Sequence, residues 1–192
     1  MNNREKLVQC AVELFYKKGY DAVGVQEIVD AAGVTKPTLY HYFGSKYGLL
    51  EQAVHEKYQL FHQDVRAAMS ESGDLVQTLQ NVARAYINGF RRDEQSYMWF
   101  ISMMYAGEES ASHTVIRPVV REQFREIRDI FLQHEKLLGN MRGRQDQYAL
   151  GFIGLLHHYI YYRYLHKGEE DRQISESEIY EIVHQFLYGI FV

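Results

Sequence analysis

The stretch "GVTKPTLYHYFGSKYGLL", residues 33–50, decides the fold of this chain. Gly33 supplies a position at which the backbone turns sharply, and Thr35 is a residue type that caps helix N-termini. Pro37 falls in the first turn of the helix that follows, where its missing amide hydrogen has no helical partner to lose. The stretch therefore predicts a sharp turn and then a short helix that ends near Phe43.

Helices are predicted on both sides of this segment. Apolar residues recur at helical spacing from Leu7 to Phe15, and Gly19 ends that first helix. A short second helix runs from about Val25 to Ala32, so the helix, turn and helix have the dimensions of a helix-turn-helix. After the third helix, Ser45 caps a long fourth helix over about Lys46 to Ser70.

The remainder of the chain also shows helical periodicity. Only two prolines occur, and no alternating apolar and polar runs closed by hairpin turns are present. Further helices are expected over Leu75 to Phe90, Tyr97 to Tyr105, Pro118 to Leu138, Gln145 to Leu165 and Ser175 to Phe191. The fold class is therefore all-α, with about nine helices.

Charged residues are unevenly distributed along the chain. The whole chain carries a net charge of −4, which by itself argues against a nucleic-acid partner. No acidic residue occurs between Asp30 and Glu51, however, whereas Lys36, His41 and Lys46 all fall there. An acid-free window of this kind suits a surface that faces phosphate groups.

Residues 33–50 resemble the core signature of the TetR family of transcription regulators, and the resemblance extends back through "GYDAVGVQEIVDAA" to Gly19. It covers about the first 60 residues. It implies a three-helix DNA-binding head over 1–47, with the helix-turn-helix at about 25–43. It also implies a helical bundle over 48–192 that binds a ligand and dimerises, and repression of transcription that a small molecule relieves.

The resemblance also implies which residues meet palindromic operator DNA. The matching positions are Gln26, Thr35, Lys36, Pro37, Thr38, Tyr40, His41, Tyr42 and Lys46. Tyr40 and Tyr42 match positions that touch phosphates, and Lys46 matches a lysine that anchors the DNA backbone; hydroxyls and ammonium groups bind phosphate oxygens without reading sequence. Val23 and Gly24 stand where the family has Ser or Thr, so the second helix is expected to lack a side-chain cap.

A small-molecule effector is expected to be largely apolar, because "YMWFISMMY", residues 97–105, is rich in bulky, adaptable side chains. The candidate ligand-binding residues are Phe61, Tyr86, Phe90, Trp99, Met103, Phe124 and Phe152. Each of them also suits an ordinary hydrophobic core, and the 16 tyrosines of the chain suit an interface equally well. The sequence leaves these alternatives open.

The last two helices are the candidate dimer interface, since the resemblance implies a four-helix contact with a second copy. The candidate residues are Gly151, Gly154, Leu155, Tyr159, Tyr162, Ile179, Val183, Phe186 and Ile190. Residues 148–165 are long enough to resemble a membrane span, but His157, His158 and Arg163 oppose that interpretation. A homodimer away from the membrane is expected.

Two other classes of protein were weighed against a regulator. Glu51 with His55, and His158 with Tyr162, lie one helical turn apart, but no His-Glu-x-x-His, Cys-x-x-Cys or nucleophile-elbow motif occurs. We therefore expect no enzyme, no catalytic residue, no metal site and no cofactor. The alternative function is a helical bundle that binds a protein, a metal or a small molecule without binding DNA.

The N-terminus and the single cysteine bear on the compartment. Arg4, Glu5 and Lys6 precede an apolar stretch that polar residues interrupt, unlike a signal peptide. Cys10 has no internal disulfide partner, which agrees with a reducing environment. A cytoplasmic location is expected.

Overall fold

The computed structural model describes residues 1–70, 74–138, 143–166 and 174–189. All regular secondary structure in these ranges is helical, which confirms the all-α prediction. The α-helices are α1 (Asn3–Lys18), α2 (Val25–Ala32), α3 (Lys36–Phe43), α4 (Lys46–Ser70), α5 (Leu75–Arg92), α6 (Glu94–Met104), α7 (Ala111–Gln133), α8 (Gln145–Leu165) and α9 (Glu176–Tyr188), and a 3₁₀ turn spans Glu135–Leu137. No described helix has the length and hydrophobicity that spanning a lipid bilayer requires.

Contacts divide the chain into two compact units. Unit 1 consists of residues 1–60 and 93–120, and unit 2 of residues 61–92 and 121–192. Helices α4 and α7 contribute residues to both units, so the division does not follow a single point in the chain. The functional boundary expected after residue 47 stays a prediction.

Unit 1 has a core of apolar side chains from α1, α2, α3, α6 and the unit 1 parts of α4 and α7. A capping box starts α1, in which the Asn2 side chain accepts the Glu5 backbone N–H and the Glu5 side chain accepts that of Asn2. One face of α1 is then buried; Leu7 and Ala11 are fully inaccessible. Helix α6 packs on this face, which places the Trp99 ring centroid 6.3 Å from that of Phe15.

Unit 2 is built around α5, which contacts both α8 and α9. A capping box of Ser175 and Glu178 starts α9, and Ile179 and Val183 on its next turns are buried. The Arg84 guanidinium on α5 donates to both carboxylate oxygens of the exposed Glu176 on α9. Apolar burial therefore holds these helices together, and the surface ion pair adds little because solvent screens it.

Helix α7 differs from its prediction over Pro118 to Leu138. It begins at Ala111, where the Ser110 side chain accepts the His113 backbone N–H at 3.1 Å, and it ends at Gln133 before the 3₁₀ turn. Pro118 lies inside the helix rather than at its start. Its missing amide leaves the Thr114 carbonyl without a helical donor, but both residues are exposed, so water can replace the bond.

Candidate nucleic-acid interface

The turn between α2 and α3 is closed by backbone hydrogen bonds. Gly33 adopts the left-handed conformation, with φ +64° and ψ 36°, which a side chain would disfavour. Its N–H donates to the Asp30 carbonyl at 3.2 Å, and the Val34 N–H donates to the Val29 carbonyl at 2.9 Å. These two bonds satisfy two of the last four carbonyls of α2, and the chain begins α3 three residues after Gly33.

Thr35 occupies the N-cap position of α3, but its side chain does not cap the helix. The hydroxyl instead lies 3.0 Å from the Thr38 hydroxyl, on the surface of the first turn. The expected cap position is confirmed and the expected hydrogen bond is wrong, because the neighbouring hydroxyl competes for the Thr35 side chain. Pro37 is exposed in the first turn, as predicted.

Helix α3 has one buried face and one exposed face. Leu39 is fully inaccessible and Phe43 is 8% exposed, so these two side chains anchor the helix in the core of unit 1. Tyr40 and Tyr42 are 48% and 43% exposed, and Lys36 and His41 are exposed as well; Thr38 is half-buried. The described surface of α3 therefore carries hydroxyl, ammonium and imidazole groups and no carboxylate.

Gln26 of α2, one of the predicted DNA contacts, already has a partner in the protein. The exposed Gln26 amide donates to the Asp30 carboxylate on its own helix at 2.7 Å. Helix α2 has Gly24 at its N-cap and no side-chain cap, as expected. Because Gln26 already donates to Asp30, it would have to exchange this bond for one to DNA.

Lys46 is half-buried, and its ammonium group donates to the carbonyls of Tyr20 and Val23 at 3.0 and 2.9 Å. The same nitrogen lies 4.1 Å from the centroid of the Tyr20 ring. Burial, followed by the nearby Asp21 and Tyr47, raises the pKa of the Tyr20 phenol. Lys46 thus stabilises the connection between α1 and α2 through these two hydrogen bonds. The third hydrogen of its ammonium group can still be donated to a phosphate oxygen.

The turn from α3 into α4 depends on a close backbone approach. A Cβ atom at Gly48 would lie 2.1 Å from the Phe43 carbonyl oxygen, so only glycine fits. The Ser45 hydroxyl accepts the Gly48 N–H at 2.9 Å, which confirms the predicted cap of α4. The exposed Tyr47 phenol stands beside this helix N-terminus. Sequence reasoning did not include Tyr47 among the candidates, although it falls in the acid-free window and an exposed phenol is a group that can bind a phosphate oxygen.

The seven predicted ligand-binding residues do not come together in one unit. Trp99 and Met103 are each 2% exposed in the core of unit 1, whereas the other five belong to unit 2. In unit 2 the rings of Phe61 and Tyr86 pack edge to face at 5.0 Å, and the buried Gln123 amide donates to the Tyr86 hydroxyl at 2.6 Å. Phe90 and Phe152 are buried, and Phe124 is half-buried.

A cavity of about 370 Å³ lies in unit 2, away from this set. Arg66, Met69, Glu126 and Ile130 are among its lining residues, and none of the seven predicted residues is. Most of the predicted set therefore packs as ordinary core in the described structure, which was the alternative that the sequence had left open.

The predicted dimer residues divide into buried and exposed groups. Ile179 and Val183 are 2% and 0% exposed, because they face the core of their own protomer, so they are not available to a second copy. Phe186 packs on Phe152 with ring centroids 5.1 Å apart, and the Tyr159 hydroxyl donates to Glu178 at 3.0 Å. These four side chains therefore have roles inside unit 2.

Other members of the predicted dimer set remain accessible on α8. Tyr162 is 57% exposed, Gly151 is exposed, and Gly154 and Leu155 are half-buried. Ile190 lies outside the described residues. Sequence reasoning missed the other large exposed apolar side chains of the two helices, which are Leu150, Tyr161, Leu165, Tyr180 and Tyr188.

A polar cluster in unit 2 was also missed. Glu122 and Glu126 lie on α7, and the Glu126 side chain is only 15% exposed. It contacts His62 and Arg66 of α4, which lie about 60 residues earlier in the chain. A separation of this size gives no local sequence signal.

One family model matches the part of the chain that contains this site. The model of the bacterial regulatory proteins of the tetR family matches residues 7–53, which include all of α2 and α3. A curated relative, the HTH-type transcriptional activator FasR of Mycolicibacterium smegmatis, is 32% identical over 112 residues, or 58% of this chain. The match spans about half of that relative, 51% of its length.

Two solved structures share the fold over nearly the whole chain. The transcriptional regulator FadR from Bacillus subtilis, in complex with stearoyl-CoA, has a TM-score of 0.76 at 15% identity and covers 97% of this chain and 99% of its own. AibR, in complex with isovaleryl coenzyme A and operator DNA, has a TM-score of 0.72 at 20% identity, with coverages of 97% and 98%. The family match therefore shows that residues 7–53, which include α2 and α3, are similar to the tetR family of bacterial regulatory proteins.

Proposed function

We propose that this chain is a one-component transcriptional regulator that binds operator DNA through α3. The observation that carries the proposal is the two-faced character of α3: Leu39 and Phe43 hold the helix on the core, and its opposite side presents Lys36, Tyr40 and Tyr42 to solvent. A helix held in this way can enter a major groove without unfolding part of the head.

Within this proposal the polar groups divide the work of recognition. Lys36 and the hydroxyls of Thr35 and Thr38 lie on the first turn of α3, the part of a recognition helix that reaches base edges. The phenols of Tyr42 and Tyr47 are suited to phosphate oxygens, which position the protein without reading sequence.

The regulator is proposed to act as a homodimer that joins α8 and α9 of two copies. Leu150, Tyr162 and Leu165 on α8, and Tyr180 and Tyr188 on α9, are each more than half exposed. Exposed large apolar side chains are costly in water, and the presence of several on these two helices favours a partner surface. A second copy with the same face gives a two-fold dimer, which reads two half-sites of a palindrome.

The proposed effector is an acyl-CoA thioester, whose acyl chain agrees with the largely apolar effector expected from the sequence. FadR and AibR, which share the fold, were solved with stearoyl-CoA and isovaleryl coenzyme A. Effector binding is proposed to release the operator, so that the chain represses transcription in the cytoplasm and performs no catalysis. The activator FasR is the precedent for the opposite sign of regulation.

Selection of duplexes from a random pool tests the proposal directly. The full chain should enrich a palindrome, and the affinity should fall steeply as salt rises, because several phosphates lose their counterions on binding. Acyl-CoA thioesters of increasing chain length, with free coenzyme A as the control, should then release the selected DNA. Failure to bind any duplex at low ionic strength would support the alternative of a helical bundle without DNA binding.

A further inference from the structure

Four charged or titratable side chains of unit 2 meet between α4 and α7. His62 and Arg66 lie one turn apart on α4, and Glu122 and Glu126 lie one turn apart on α7. The His62 Nε2 atom is 2.7 Å from Glu126 Oε2 and 3.9 Å from Glu122 Oε1. One donor atom from each of these three residues lies within 4.8 Å of the other two.

This set differs from an ordinary surface ion-pair group in its burial and its donor types. His62 is 9% exposed, and the Glu126 side chain is 15% exposed. A buried carboxylate requires a cation or several hydrogen-bond donors, since desolvation otherwise opposes its charge. An imidazole nitrogen with two carboxylates is a donor set that suits divalent transition-metal ions such as Zn²⁺.

The distances are compatible with an ion of this class. Bonds of about 2.0–2.2 Å in a tetrahedral site separate neighbouring ligand atoms by roughly 3.4 Å. The two distances from His62 Nε2, 2.7 and 3.9 Å, lie on either side of that value, so side-chain rotations that move these atoms by roughly 0.5–0.7 Å would bring both to it. Pairs of ligands one helical turn apart on facing helices are a common arrangement of metal sites in helical bundles.

Arg66 occupies the cationic role in the described structure. Its Nε donates to Glu126 Oε1 at 2.6 Å, and a terminal nitrogen lies 3.4 Å from Glu122 Oε1. The Arg66 side chain is nevertheless 61% exposed, so it can swing into solvent at small cost. Arg66 and Glu126 also line the 370 Å³ cavity, which gives an ion a route to the Glu126 carboxylate and leaves room for a water ligand.

We propose that His62, Glu122 and Glu126 form a site for a divalent transition-metal ion that links α4 to α7 within unit 2, with Arg66 as the competing internal cation. The three side chains supply one nitrogen and two oxygen ligands, and the remaining position is open to water. None of these three residues belongs to the predicted DNA-binding or ligand-binding set.

Titration with Co²⁺, whose visible absorption reports its coordination, tests the proposal. The full chain without a histidine tag is first dialysed against a chelator. One Co²⁺ per chain should bind with the visible bands of a four- or five-coordinate ion, and Zn²⁺ should displace it. His62→Gln and Glu122→Gln should each weaken binding by roughly tenfold or more. Glu122 is 46% exposed, so its variant tests the site even if the His62 variant does not fold.

Two further variants separate this site from adventitious binding. His55→Gln removes an exposed histidine from the same helix and should leave Co²⁺ affinity unchanged. Arg66→Gln should raise the affinity, because it removes the competing cation and keeps a polar side chain. Absence of Co²⁺ binding, equal binding by the His62 and Glu122 variants and the parent protein, or weaker binding by Arg66→Gln would overturn the proposal.

Discussion

The two units differ in what they bury. Among the described residues of unit 1, Ser96 is the one buried side chain that is neither apolar nor aromatic, and its hydroxyl donates to Asp93 at 2.7 Å. Unit 2 buries several polar side chains, including His62 and Gln123, and the latter donates to the Tyr86 hydroxyl. The core of unit 1 is thus stabilised mainly by apolar packing, which does not depend on pH. Unit 2 also depends on buried polar side chains that each require a hydrogen-bond partner.

This difference suits different tasks. An apolar core tolerates few arrangements because it is closely packed, so it can present α3 in one orientation. Buried polar groups are costly when they lose a partner, and they respond to protonation and to ligands. The single Trp99 lies in unit 1, so its emission reports that unit specifically.

The largest effect is expected from a cavity in unit 1. Leu39→Ala removes a fully buried anchor of α3 and should lower the free energy of unfolding by about 2–5 kcal/mol. Urea unfolding followed by Trp99 emission measures the loss. Tyr40→Ala, at the adjacent exposed position, should change stability by less than about 0.5 kcal/mol while it weakens DNA binding. Equal losses of stability for both variants would contradict the assignment of the two faces.

The second prediction concerns pH and unit 2. Burial, followed by the neighbouring His158, lowers the pKa of His157 from 6.5 to about 4. His157 therefore becomes protonated below pH 6.5 in the unfolded chain, but only below about pH 4 in the folded chain. The contribution of His157 to the free energy of unfolding is fully present above pH 6.5. It should fall by up to about 3 kcal/mol as the pH approaches 4.

Urea unfolding at pH 7 and pH 4.5 checks this prediction. His157→Asn should lose less stability than the parent protein over that interval, whereas His158→Asn, at an exposed neighbouring position, should behave like the parent protein. An unchanged pH dependence in His157→Asn would show that other groups control the stability of unit 2 in acid.

A smaller effect is expected from the buried hydrogen bond of unit 2. Tyr86→Phe removes the hydroxyl that accepts from Gln123, and it should cost about 1–3 kcal/mol because the Gln123 amide then loses a buried partner. Addition of Gln123→Leu should recover most of the loss. Additive losses in the double variant would mean that the two residues do not act as a pair.

The smallest predicted change in stability separates two lysines of unit 1. Lys46→Met removes the bonds to the carbonyls of Tyr20 and Val23 and should lower the free energy of unfolding by about 1–2 kcal/mol. It should also weaken binding to specific and random DNA alike, with a salt slope lower by about one unit. Lys36→Met should leave stability unchanged and alter sequence preference. Identical results for both variants in unfolding and binding assays would remove the distinction.

Much of unit 1 could be predicted because its signals are local. The bounds of α2 and α3 were predicted within a residue, since Gly33, Thr35 and Pro37 act on the backbone within a few positions of themselves. The same kind of prediction is wrong for the start of α7, because Pro118 lies inside the helix and the Ser110 side chain accepts a backbone N–H at its actual start. A proline at an exposed position within a helix is less decisive than one beside a capping residue.

The contacts of unit 2 could not be predicted because they depend on distant residues. Apolar periodicity indicated that Ile179 and Val183 lie on a buried face of α9, but not that their own protomer covers it. The pairing of His62 with Glu126 joins positions 64 residues apart, so the local sequence around Glu126 gives no sign of its partner. Periodicity identifies a face, and only the fold identifies its neighbour.

The hydrogen bonds of the Lys46 ammonium also have a consequence for chemical labelling. An amine that donates to two carbonyls must release them and lose a proton before its nitrogen can attack an acylating reagent. Lys36 is exposed at the tip of α3 and should react earlier. Mild acetylation would then modify Lys36 and weaken DNA binding while unit 1 stays folded. Only prolonged treatment would modify Lys46 and loosen the connection between α1 and α2.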